Sequence, residues 1–223
     1  MSVKAVLIGS LGVLTDLTDL EAEALNEALA EAGLEWQASA TLVGDVIGHP
    51  DGARRLADHA ASRGQQIDGE AVLARQQALL LERLATARLT LRREIADVVE
   101  AVRAAGIAIG LVTTSPRAHV RAVLDGLGTA LPQNLFDVII AREDVSRGKP
   151  HPVCYATALK RLGLDQSEAV AIEDSPSNAR AARKARIATL AVPPRSHANR
   201  DFPAEVIVTD RPTTAILKIS RAA

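Results

Sequence analysis

The chain has 223 residues, 24% of them charged and 48% hydrophobic, which fits one α/β unit or a core with an insertion and excludes disordered and fibrous chains. Lys plus Arg number 26 against 27 Asp plus Glu, a net charge of -1, so no overall basic field exists to attract nucleic acid. Aromatic residues are only 2%, too few for a base-stacking platform.

The first predicted element is a strand over Val3 to Ile8, a β-branched apolar run of the kind buried on both faces. From Asp19 to Arg88 the pattern turns helical. Leu20, Ala24, Leu25, Ala28 and Leu29 share one face, and glycines at 33, 44, 48, 52 and 64 divide the stretch into about four helices. Strands and helices then alternate: helix Arg93 to Ala105, strand Ile107 to Thr113, helix Pro116 to Leu127, strand Phe136 to Ala141. They continue with helix Pro152 to Leu162, strand Ala169 to Ile172, helix Pro176 to Ala185, strand Ile187 to Val192 and a short strand Val206 to Thr209. This alternation implies crossovers and a parallel sheet. The expected architecture is an α/β, Rossmann-like core from residues 1–15 and 90–223, interrupted after its first strand by an all-helical cap over residues 16–89.

The single cysteine, Cys154, excludes internal disulfides and Cys-rich metal sites and points to a reducing cytoplasm. The apolar stretch in the opening MSVKAVLIGS is too short for a signal peptide, and no run reaches bilayer length, so no membrane partner is expected.

Ligands of such sheets bind beyond the carboxyl ends of the strands. The apolar runs stop at Gly9-Ser10-Leu11-Gly12, Thr113-Thr114-Ser115 and Glu173-Asp174-Ser175, with Arg147-Gly148-Lys149-Pro150 between the last two. In that order these segments resemble the haloacid dehalogenase superfamily, in its β-phosphoglucomutase-like and phosphoglycolate-phosphatase-like branch. The resemblance implies phosphate binding by Thr113, Thr114 and Lys149, Mg²⁺ held by acids at Glu173 and Asp174, and a substrate-covering cap. It also places Gly48 to Arg55 at the substrate-specificity loop, where Arg54 or Arg55 would reach a second anionic group. The plainer reading makes both arginines solvated residues of a helix whose apolar side is Leu56 and Ala60.

The first motif departs from the family pattern Asp-x-Asp-Gly. Ala5 to Ile8 is followed by Gly9-Ser10-Leu11-Gly12-Val13-Leu14, so Gly9 stands where the family has its nucleophilic aspartate and Leu11 where it has its acid/base aspartate. Glycine can neither attack phosphorus nor bind metal, and leucine cannot transfer a proton. With two of four acids gone, Mg²⁺ is expected to bind weakly or not at all, and Lys149 is free to pair with Glu173 or Asp174. None of Ser10, Asp16, Asp19 and His151 replaces the missing groups well: Ser10 should face away from the vacant place, the two aspartates fall out of register, and His151 sits in a proline turn. Each surviving motif also has a bland role. Thr113 and Thr114 can end a strand, Glu173 and Asp174 can precede a helix, Gly12 can serve backbone geometry, and Cys154 can pack as a small apolar group.

The resulting expectation is a catalytically inactive family member that keeps phosphate or anion recognition through Gly12, Thr113, Thr114 and Lys149, or a regulatory role. The competing expectation is an active Mg²⁺-dependent phosphatase or phosphosugar mutase acting on small phosphorylated metabolites through a non-standard nucleophile. A third is a fold kept for a protein partner.

Overall fold

The computed structural model describes residues 3–132, 134–194, 197, 200–213 and 216. Strands β1 (Ala5–Ile8), β2 (Ala108–Val112), β3 (Val138–Ile140), β4 (Ala169–Glu173), β5 (Ala188–Ala191) and β6 (Ile207–Val208) form one sheet of order β3-β2-β1-β4-β5-β6. Every pairing is parallel. β1 lies at the centre with all four residues buried, which is why it reads as an unbroken apolar run.

Side-chain alternation divides the core between the two sheet faces. Val6, Ile8, Val170 and Ile172 point to one side, toward helices α6 (Arg93–Ala104) and α7 (Arg117–Leu127). Ala5, Leu7, Ala169 and Ala171 point to the other, toward α8 (Val153–Leu162) and α9 (Pro176–Lys184). Local chemistry stops and starts these helices: Gly163 takes the left-handed conformation after α8 at φ 67, and the Ser175 hydroxyl accepts from the Asn178 amide at the start of α9.

Between β1 and α6 the chain is entirely helical: a single turn α1 (Leu11–Leu14), then α2 (Thr18–Glu31), α3 (Ala40–Val46), α4 (Gly52–Ala61) and α5 (Gly69–Leu84). α2 packs along α5, and α5 packs onto α7, which seats this helical layer on the α/β layer. None of the helices described is long and apolar enough to cross a membrane.

Two features bear on the strand tips. Residues 11–14 form a helical turn, because Leu11, Val13 and Leu14 are all drawn into the core after an extended Ser10. β4 also runs one residue further than its apolar pattern, so Glu173 is the last residue of a strand and fully buried.

Candidate functional site at the strand tips

The register that pairs Ile8 of β1 with Ile172 of β4 brings the next residues, Gly9 and Glu173, side by side. The Gly9 amide donates to the Ile172 carbonyl at 2.8 Å, which holds this alignment past the end of β1. Both residues follow the phase of Leu7 and Ala171, so side chains here point toward α8, where Tyr155 is fully buried. A Cβ on residue 9 would overlap the Glu173 carboxyl group and the Tyr155 hydroxyl. The space that a side chain at position 9 would take is therefore filled by two side chains from elsewhere.

Glu173 is held there through Oε1 alone, its Oε2 being buried with no hydrogen-bond partner among the described residues. Glu173 Oε1 accepts from the Tyr155 hydroxyl and from Lys149 Nζ, the latter at 2.8 Å. Lys149 Nζ also donates to the Val112 carbonyl at 2.9 Å and to the Gly9 carbonyl, which accounts for its three protons. Its side chain is 2% exposed. Burial pushes the Glu173 pKa up to about 7 against the pull of Lys149, and burial beside Glu173 pushes the Tyr155 phenol well above its ordinary range. Lys149, expected as a phosphate ligand, is turned inward because a buried carboxylate offers it a partner that it does not share with water.

In front of this cluster lies a cavity of about 290 Å³, roofed by α2 and α5. Asp174 faces it: with the strand alternation it points opposite to Glu173. Its Oδ1 accepts from Asn178 Nδ2 at 2.9 Å, and its carboxylate lies so close to the Gly12 backbone that a Cβ there would overlap it. Thr113 is buried and spends its hydroxyl on shaping the turn, accepting from the Ser115 amide and donating to the Ser115 hydroxyl, both at 3.1 Å. Thr114 lines the cavity and makes no hydrogen bond among the described residues. Leu11 contributes an apolar wall and is 5% exposed. Ser10 also lines the cavity, but its Oγ is buried with no partner among the described residues, so the hydroxyl does not open into the cavity.

Sequence reasoning missed several contributors. Glu21 enters from α2; loss of water and the carboxylates of Asp174 and Asp16 push its pKa up to about 7. His119 of α7 takes part through Nε2, 3.1 Å from the Gln77 carbonyl of α5, and burial lowers its pKa. Arg92, where the chain returns from the helical layer, donates to the carbonyls of Gly12 (3.1 Å), Val192 (2.8 Å) and Pro193 (3.3 Å), tying three segments around the tips together. Only their helix phases, facing the same end of the sheet, could have flagged these residues.

Arg54 is not brought to the cavity. It lies on the outer side of α4, with its side chain 66% exposed and paired to Asp58 at 3.0 Å and Asp51 at 3.8 Å. That helix buries Leu56 and Ala60, which turns position 54 outward.

A family model described as haloacid dehalogenase-like hydrolase matches residues 3–186. This chain belongs to that family. Protein CbbY of Rhodobacter capsulatus is 27% identical over 207 residues, 92% of this chain and 91% of that protein. Validoxylamine A 7'-phosphate phosphatase of Streptomyces hygroscopicus subsp. limoneus is 31% identical over 70% of each chain. The crystal structure of CbbY from Rhodobacter sphaeroides in complex with phosphate matches with a TM-score of 0.74 at 26% identity, over 93% of this chain and 94% of that one. Phosphatases of this family generally use Mg²⁺. The residues at these strand tips do not fit that ion: Glu173 is sealed behind the sheet, Gly9 and Leu11 offer no side-chain oxygen, and among the described residues no three His, Cys, Asp or Glu side chains come together as a metal site.

Proposed function

We propose that this haloacid dehalogenase-like protein recognises a small phosphorylated metabolite without transferring its phosphoryl group, residues 16–89 acting as the cap over a core of residues 1–15 and 90–223. One observation carries the reading: the place a nucleophile on residue 9 would occupy is taken by the Glu173 carboxylate and the Tyr155 hydroxyl. Phosphoryl transfer needs an attacking oxygen and positive charge on the transferring group. Here the lysine that would supply part of that charge is neutralised by Glu173 at 2.8 Å. Recognition is supported by the intact cavity and by relatives whose names and structures carry phosphate esters or phosphate.

The test is turnover of a panel of small phosphate monoesters by the purified protein, in Mg²⁺ and in EDTA. No turnover above that of the Asp174→Ala variant is expected. Mg²⁺-dependent hydrolysis that disappears in Asp174→Ala would replace this reading with an active phosphatase. The complementary measurement is Gly9→Asp with Leu11→Asp, which restores both acids of the first motif. Rebuilding the site should raise Mg²⁺ affinity, with release of Glu173 from its present place.

A further inference from the structure

We propose that the ligand's anionic group is held by a second cavity, walled by Arg55, Arg180 and Arg200, while its hydroxylated carbon chain extends into the cavity at the strand tips. This second cavity measures about 180 Å³ and lies between the α3–α4 turn and the start of α9. It adjoins the first: Ile47, Gly48, Ser175 and His197 line both.

Charge separates the two spaces. In the second, Arg55 and Arg200 converge on a single carboxylate, Asp45, at 3.6 Å and 2.7 Å, and Arg200 also donates to the Thr41 carbonyl at 2.8 Å. Arg180, exposed on α9, has no hydrogen bond or ion pair among the described residues. Asp201 is the other acid at this cavity, so three guanidiniums face two carboxylates. Burial is the main cause that lowers the His49 pKa, and Arg55 and Arg180 add to it against Asp51 and Asp45. A guanidinium fork matches a phosphate edge, and an arginine with unspent donors is suited to receive one.

The first cavity is built for the opposite load. Lys149 has no proton left for a ligand, and the acids facing inward are Glu21 and Asp174. A phosphate there would meet the Glu21 and Asp174 carboxylates, and Lys149, the one lysine or arginine lining this cavity among the described residues, is already spent on Glu173 and two carbonyls. Sugar or polyol hydroxyls would find acceptors in those same carboxylates, and an acceptor or donor in the Thr114 hydroxyl. The ligand class is therefore a hydroxylated phosphate monoester, with bisphosphates disfavoured because their second phosphate falls among the acids. This inference rests on the recognition half of the proposed function.

Calorimetric titration in EDTA with inorganic phosphate, ribitol 5-phosphate and ribulose 1,5-bisphosphate tests it, using the full chain and its Arg180→Ala, Arg180→Glu, Arg180→Lys and Thr114→Val variants. Arg180 is exposed and its side chain has no ion pair among the described residues, so its substitution should leave the melting temperature unchanged. Ribitol 5-phosphate should bind more tightly than the bisphosphate. Its affinity should fall about tenfold in Arg180→Ala, further in Arg180→Glu, and recover in part in Arg180→Lys. Binding that survives Arg180→Glu but is lost in Thr114→Val puts the phosphate at the strand tips and overturns this inference, leaving the proposed function standing. A chain that binds none of the three probes overturns both, and hydrolysis of the probe overturns the proposed function alone.

Discussion

Glu173 and Asp174 are neighbours in the chain with opposite fates, and the difference shows what the vacancy at Gly9 does. Glu173 continues β4 on the α8 side, where it is fully buried, bonded to Lys149 and Tyr155, and closed to any ligand. Asp174 turns to the other side, lines the open cavity and accepts a hydrogen bond from Asn178 at 2.9 Å. One residue of alternation separates a buried carboxylate from a cavity-facing one. Behind the sheet Lys149 and Tyr155 meet on Glu173 Oε1, whereas in front Asp174 and the Thr114 hydroxyl face open space.

The sharpest way to break this contrast is to remove one half of the buried pair. Lys149→Met removes the cation that pulls the Glu173 pKa down against burial, so at pH 8 the buried carboxyl must either take up a proton or stay charged without a partner cation. We expect a loss of about 3–5 kcal/mol in urea unfolding, whereas Lys149→Met with Glu173→Leu should recover most of it. Equal losses in the single and double variants would mean the pair is not coupled. The corresponding change in front, Asp174→Asn, keeps the bond to Asn178 available and should cost far less.

Next in size is the empty position itself. Gly9→Ala forces a methyl into space held by Glu173 and Tyr155 and should destabilise by about 1–3 kcal/mol, the range for overpacked cores. Tyr155→Phe removes a hydrogen bond to a charged acceptor at a similar cost, about 1.5–3 kcal/mol. If Gly9→Ala is neutral, Glu173 swings away freely and the space behind the tips is not closed.

Smaller again is the effect of pH, which engages both regions at once. Glu21 in front and Glu173 behind each have an ordinary pKa of 4.5 and a folded value of about 7. Between those values the folded chain binds more protons at these two groups than the unfolded one, so their contribution to stability is full below about pH 4.5 and is lost as pH rises through about 7. Glu21→Gln should flatten that slope by about 1 kcal/mol between pH 5 and 8, measured by urea midpoints. An unchanged slope would assign the whole effect to the buried cluster.

How much of this was visible in the chain follows from what each feature depends on. The strands were readable because parallel strands covered on both faces carry uniform apolar runs, as Ala5 to Ile8 does. The tips were readable because polar residues interrupt those runs. The filling of the Gly9 space was not, since it needs the register of Ile8 against Ile172 and the phase of Tyr155 on a helix that only the fold brings near. Pairing of Lys149 with an acid was foreseen, but the choice of Glu173 over Asp174 required knowing that β4 extends to residue 173. Arg180 and Arg200 carry no local pattern at all; their meaning comes from facing Arg55 and Asp45 across a cavity.

The smallest effect belongs to Arg54, the arginine that sequence position favoured for a second anionic group. Its neighbour Arg55 reaches Asp45 at the rim of the basic cavity, while Arg54 points away and pairs within its own helix with Asp58 at 3.0 Å. Exposed pairs of this kind contribute little, because water solvates both partners nearly as well and holding two long side chains in place costs entropy. Arg54→Ala should therefore leave the affinity for a phosphate monoester within about twofold of the parent chain, in contrast to the tenfold loss expected at Arg180. A loss at Arg54 as large as that at Arg180 would mean that α4 rotates toward the cavities when a ligand enters, and the division between a basic cavity and an inert outer helix face would fail.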